Sequence, residues 1–184
     1  MYKSLTLPQG MLYLCPAGET AAEQHAAAHA LLAESVRQYT GIAAPLRTEC
    51  TPMGKPFFPD MPSLHFNLSH CRGLAVCLLS SSVCGVDAEQ RRPLRERVVR
   101  RVFSEEEQQA LAAADDHDLL FTQLWTLKEA YVKAMGIGIS YPMREIRFAL
   151  TPDGIRSNRK DAVFRQLTEG EHIISACFLR DHTP

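Results

Sequence analysis

Between residues 64 and 89 the chain sets extended patterns in close succession, and these restrict the fold more than anything else in it. "SLHFNLSH" alternates apolar and polar residues, with Leu64, Phe66 and Leu68 on one face, as in a half-buried strand. "GLAVCLLS" is a short continuous apolar run, consistent with a buried strand beside it. "CGVDAE" follows at once, so two strands and a turn are expected here. Upstream, "MLYLCP" reads as a short strand and "ETAAEQHAAAHALLAESVRQYTG" as a helix stopped by Gly41. "TPMGKPFFPDMP", with four prolines and a glycine, reads as turn and loop.

Downstream, Ser104 with Glu107 three residues later matches a capping box and predicts a helix start. From about Leu119 to Met135, Leu120, Leu124, Leu127, Tyr131 and Ala134 form one stripe of a longer helix, which Gly136 ends. "REIRFAL", "DAVFRQL" and "HIISACFL" read as strands. Helices and strands in mixed order predict the α+β class. At 184 residues the chain suits one compact domain or two small halves sharing a core.

A formal net charge of −1 argues against nucleic acid as the main partner. No apolar run approaches the roughly 20 residues that span a bilayer. The six cysteines lack a CxxC pair and sit mostly among apolar neighbours, where the thiol packs as a small hydrophobe. "MYKSLTLPQGMLYLCPAG" does not read as a secretory signal, so reduced thiols and a cytoplasmic setting are expected.

Chemistry concentrates in a few residues. If "GVDAEQ" is a strand, Asp87 and Glu89 point to one face, about 6.5–7 Å apart along the backbone. Two like charges so placed repel unless a cation or proton lies between them. Oxygen ligands of this kind suit Mg²⁺ completed by substrate phosphates, and a plain solvent-facing strand is the alternative. In "WTLKEAYVKAMGIG", Glu129 and Lys133 share a helix face, which by itself fits a surface ion pair equally well. Lys55 and His70 are the further groups that could meet phosphate.

In order, "GKPFFP", "LHFNLSHC", "GVDAE", "FSEEE" and "WTLKEAYVKAMGIGI" resemble the 4′-phosphopantetheinyl transferase family, in its Sfp-type form with two related halves in one chain. The resemblance covers roughly residues 20–150. It implies an α+β fold of two similar halves in pseudo-twofold arrangement, residues 1–84 contributing to coenzyme A binding and residues 85–184 carrying metal and catalytic groups, with the active site in the cleft between. It implies Mg²⁺-dependent transfer of phosphopantetheine from coenzyme A to a serine of an apo carrier protein, releasing adenosine 3′,5′-bisphosphate. By the same resemblance Asp87 and Glu89 are metal ligands, and Glu129 is a third ligand or the base that activates the serine. Lys133 neutralises phosphate charge, and Lys55, Ser69 and His70 contact the phosphates. Gly136 and Gly138 shape the turn beside the pantetheine arm. Where many relatives carry basic residues on the first long helix, this chain offers His25 and His29, and neutral histidine grips a phosphate less strongly and with a pH dependence near neutrality.

Residues 91–101 hold Arg91, Arg92, Arg95, Arg97, Arg100 and Arg101 against Glu96 alone. This run reads as a solvated segment or as a docking surface for an acidic carrier protein. A two-half chain supplies both sides of its cleft, so a monomer is expected. The rival readings are a non-catalytic coenzyme A-binding module of the same fold and a metal-dependent phosphoesterase.

Overall fold

The computed structural model describes residues 2–42, 47–138 and 141–180. The chain opens with the hairpin β1 (Lys3–Leu7) and β2 (Gly10–Pro16). Helix α1 (Ala21–Thr40) follows, with Thr20 and Glu23 forming a capping box and Gly41 closing it at φ 76°. Two-residue strands β3 (Glu49–Cys50) and β4 (Pro56–Phe57) pair across the proline-rich loop. Then come β5 (His65–Cys71), β6 (Leu74–Ser80) and β7 (Cys84–Gln90). Helices α2 (Glu96–Val102), α3 (Glu105–Ala113) and α4 (His117–Met135) precede two hairpins, β8 (Phe148–Thr151) with β9 (Gly154–Ser157) and β10 (Ala162–Glu169) with β11 (His172–Leu179).

The same α+β topology occurs twice. A strand leads into a long helix and then a hairpin whose second strand lies in the middle of the sheet. In the first half this gives the order β1-β2-β6-β5, and in the second β10-β11-β7. Three cores show how the layers stack. Tyr13, Leu31, Phe66 and Cys77 join α1 to the first sheet, and Leu12, Val76, Val86 and Ile174 join sheet to sheet. Phe121, Leu127, Phe164 and Cys177 join the second sheet to α4. β6 is buried along its whole length because it faces α1 on one side and the second sheet on the other.

Where the sheets meet, β5 runs beside β7 without strand pairing. Asn67 Oδ1 instead accepts from the Val86 N–H at 2.8 Å, and Ser69 Oγ from the Ala88 N–H at 3.2 Å. On its other face β7 lies hard against α4. A Cβ at Gly85 would come within 2.2 Å of the Ala130 carbonyl oxygen and 2.3 Å of the Ala134 nitrogen. Lys55 Nζ donates to the carbonyls of Cys84 at 2.9 Å and Ala134 at 2.6 Å, tying the start of β7 to the end of α4.

A second buried cation organises the far side of α4. Lys128 is fully buried, pairs with Glu107 at 2.8 Å and donates to the carbonyls of Met143 and Ile146. Glu107 also caps α3 and accepts from the Phe148 N–H at 2.9 Å. This explains the main departure from the sequence reading. The stretch expected to be a strand from Arg144 begins as a 3-10 turn, Met143–Glu145, because Lys128 draws its carbonyls inward, and only Phe148–Thr151 is extended. Strands β1 and β9 were not expected: β1 alternates only over Ser4–Leu7, and β9 has the single apolar residue Ile155. All six cysteines are free, and among the described residues no helix is long and apolar enough to cross a membrane.

Gly85→Ala is therefore expected to cost about 1–3 kcal/mol of unfolding free energy, the usual range for overpacking. Urea denaturation measures it, and an unchanged midpoint would mean that α4 can shift away from β7.

Candidate active site

β7 sends Gly85, Asp87 and Glu89 toward α4, because alternate strand residues share a face. α4 returns Glu129 and Lys133, one turn apart on the side that Gly85 lets approach. The two patterns meet directly. Lys133 Nζ donates to Asp87 Oδ1 at 2.6 Å and to Ser69 Oγ at 3.0 Å. Ser69 Oγ itself donates to Asp87 Oδ1 at 3.1 Å while accepting from the Ala88 N–H. Its hydrogen-bonding capacity is thus taken up within the protein, which differs from the phosphate contact expected of it. Lys55 lines the same cleft, with two of the three N–H groups of its ammonium given to backbone carbonyls.

The carboxylates strain one another. Burial pushes the Glu129 carboxyl up to about 7, with further increments from the charges of Asp87 and Glu89. Glu89 is also raised, first by burial and then by Asp87. Asp87 is buried, and its Oδ2 has no hydrogen-bond partner. An orphaned buried carboxylate oxygen beside two carboxyls that hold protons too tightly is a place where a hard divalent cation fits. Asp87, Glu89 and Glu129 are the residues that could hold it. Among the described residues no three acidic, histidine or cysteine side chains are already drawn into a metal-binding cluster.

A cleft of about 290 Å³ runs from Glu129 and Lys133 past Asn67, Lys55 and Met53 to Gly136 and Gly138. Gly136 must be glycine on two counts. Its φ is 69°, and a Cβ there would meet Lys55 Cδ at 2.9 Å. On the other side of Lys133 stand three imidazoles. His25 and His29 on α1 have ring centres 4.3 Å apart, and His25 meets His70 edge-on at 6.1 Å. The His70 Nδ1 is buried without a partner. Burial lowers its pKa, and His25, Lys133 and His29 lower it further.

The arginine run divides on folding. Arg91 pairs with Asp116 at 2.8 Å, and Arg92 turns inward to Glu89 at 3.3 Å. Arg97 and Arg101 instead rim an apolar groove of about 590 Å³ floored by Val98, Val102, Trp125 and Met143, with Arg144 opposite. Sequence reasoning did not single out Gly85, Asn67 or the inward turn of Arg92. Only the short "CGVD" stretch, with a glycine just before the carboxylates, hinted at a close approach.

The family model of the 4′-phosphopantetheinyl transferase superfamily matches residues 83–178. The 4′-phosphopantetheinyl transferase Sfp of Bacillus subtilis is 34% identical over 120 residues, 64% of this chain and 54% of that one. The 4′-phosphopantetheinyl transferase HetI of Nostoc is 39% identical over 107 residues, covering 54% and 45% respectively. The chain thus spans about half the length of these curated relatives. The holo-[acyl-carrier-protein] synthase of Thermotoga maritima superposes with a TM-score of 0.47 at 18% identity, covering 54% of this chain and 63% of the other.

The raised Glu129 carboxyl gives a signed expectation. The folded chain holds that proton up to about pH 7, whereas the unfolded chain releases it in the ordinary glutamate range. Protonation therefore favours the fold, and its contribution is lost as pH rises through 7. A shift of this size corresponds to about 3 kcal/mol. Measured by urea unfolding with a chelator present, Glu129→Gln should be more stable than wild type at pH 8 and gain little at pH 5.

Proposed function

The chain belongs to the 4′-phosphopantetheinyl transferase superfamily, and from that premise we propose that it moves phosphopantetheine from coenzyme A to a serine of an apo carrier protein. The observation that carries this reading is the meeting of Asp87, Glu89, Glu129 and Lys133 in one half-buried cleft.

In the proposed reaction the serine oxygen attacks the phosphorus on the pantetheine side of the coenzyme A pyrophosphate. The bond to the departing phosphate breaks, and adenosine 3′,5′-bisphosphate leaves. Glu129, with a carboxyl near neutrality, is suited to take the serine proton, since a base works best with a pKa near the working pH. Lys133 is placed to neutralise charge on the phosphates, and its pairing with Asp87 fixes where that charge stands. Mg²⁺ held by Asp87 and Glu89 would supply further neutralisation of the pyrophosphate, with Glu129 either completing that set as a third ligand or staying free as the base. Lys55 and Ser69 serve the phosphates indirectly, by holding β7 and α4 in place. Gly136 and Gly138 leave room for the pantetheine arm.

Residues 1–84 would then contribute the coenzyme A-binding side and residues 85–184 the metal and catalytic side, in a cytoplasmic monomer. For the carrier, the groove rimmed by Arg97, Arg101 and Arg144 gives the basic run 91–101 an apolar floor, which suits an acidic amphipathic partner.

Intact mass of apo carrier proteins incubated with this protein, coenzyme A and Mg²⁺ tests the reading. One added phosphopantetheine is expected, lost with chelator and with Glu129→Ala. Coenzyme A binding without mass gain on any carrier would favour the non-catalytic module.

The histidines yield a second expectation. If His70 grips the 3′-phosphate beside His25 and His29, coenzyme A affinity falls as pH rises through the His70 pKa, which burial holds below the ordinary imidazole value. Calorimetric titration of dephospho-coenzyme A, which lacks that phosphate, should show no such fall.

A further inference from the structure

Arg92 is the point at which the basic run meets the acidic cleft. Its Nη1 lies 3.3 Å from Glu89 Oε1, with about a quarter of either side chain exposed. The guanidinium carbon stands 5.0 Å from the Trp125 ring centre and 5.7 Å from that of Phe121. Its backbone N–H donates to Thr122 Oγ1 at 3.3 Å, which fixes the start of the side chain against α4. The Trp125 indole is turned to the same Glu89 carboxylate. An arginine meant for a docking surface would extend into solvent, as the exposed Arg97 does. Arg92 has its Nε buried without a partner, a desolvation cost that stacking and the ion pair offset.

We infer that Arg92 is a positioning residue: stacked on Trp125, it holds Glu89 at a fixed orientation and so sets how well Asp87, Glu89 and Glu129 accept a divalent cation. The inference rests on the reading of these carboxylates as a Mg²⁺ site. Two effects of Arg92 oppose each other. Its positive charge repels an incoming cation, and its contact with Oε1 restrains a carboxylate that would otherwise swing. The guanidinium is itself held in place, by its stack on Trp125 and by the backbone N–H bonded to Thr122, so the carboxylate it touches is held with it. The restraint therefore outweighs the repulsion. Lysine cannot replace it, since an ammonium lacks the planar surface that stacks on Trp125.

Trp125 is the sole tryptophan of the chain and lies against both Glu89 and Arg92, so its fluorescence reports on this site. The experiment is a Mg²⁺ titration of the full chain without coenzyme A, followed by Trp125 emission and by calorimetry. Wild type is compared with Arg92→Lys and Arg92→Ala, with circular dichroism confirming the fold. Both variants are expected to bind Mg²⁺ on the order of 10-fold more weakly, the usual cost of losing a group that orients a ligand. Unchanged or tighter binding in the folded Arg92→Lys variant would overturn the positioning role while leaving the metal reading intact. A wild type with no saturable Mg²⁺ response by either method would overturn the metal reading, and this inference with it.

Discussion

Hydrogen is the only side chain that position 85 can carry, since the nearest helix atoms lie 2.2 and 2.3 Å from where a Cβ would stand. That single contact fixes the spacing of β7 and α4. Asp87 and Glu89 lie two and four residues further along the strand, on the same face. Glu129 and Lys133 flank the Ala130 turn that Gly85 touches. Any larger side chain would push the helix out and part the carboxylates from the lysine. Lys55 works to the same end, since its two hydrogen bonds clamp the strand and helix that Gly85 lets approach.

Bringing these groups together leaves charge only partly balanced. Asp87, Glu89 and Glu129 face Lys133 and Arg92. Desolvation outweighs those cations at Glu129 and Glu89, whose carboxyls are raised. Such a cluster stores instability that a bound cation or a proton relieves, and natural proteins accept that trade at functional sites. The Lys128–Glu107 pair is the contrast. It is more deeply buried, yet its ammonium also has two carbonyl partners and its carboxylate two backbone N–H donors, so it serves as structure.

What could be read in the sequence was whatever depends on local period. The alternation of residues 64–70 placed Asn67 and Ser69 opposite Phe66 and Leu68, and the helical spacing of Glu129 and Lys133 gave them a common face. The α1 and α3 capping boxes and the glycine stops of α1 and α4 lie where local rules put them. Contacts across long separations were not legible. Nothing near Ser69 announces that its hydroxyl is saturated by residues 87, 88 and 133, and Lys55 reads as a loop lysine until α4 covers it. Arg92 sits among five other arginines and is singled out only by the aromatic face that α4 presents to it.

The repeated topology also has unequal contents. Where β7 offers Asp87 and Glu89 to its helix, β2 offers Tyr13 and Cys15 to α1, inside an apolar core. Like-charge strain is thus confined to one of two similar frames. The equivalent strand of the other frame, β2, is limited by volume and not by ionisation. Under mutational drift the two should diverge in kind. β2 can exchange apolar residues of matched size, while β7 is held to particular functional groups that no repacking can replace.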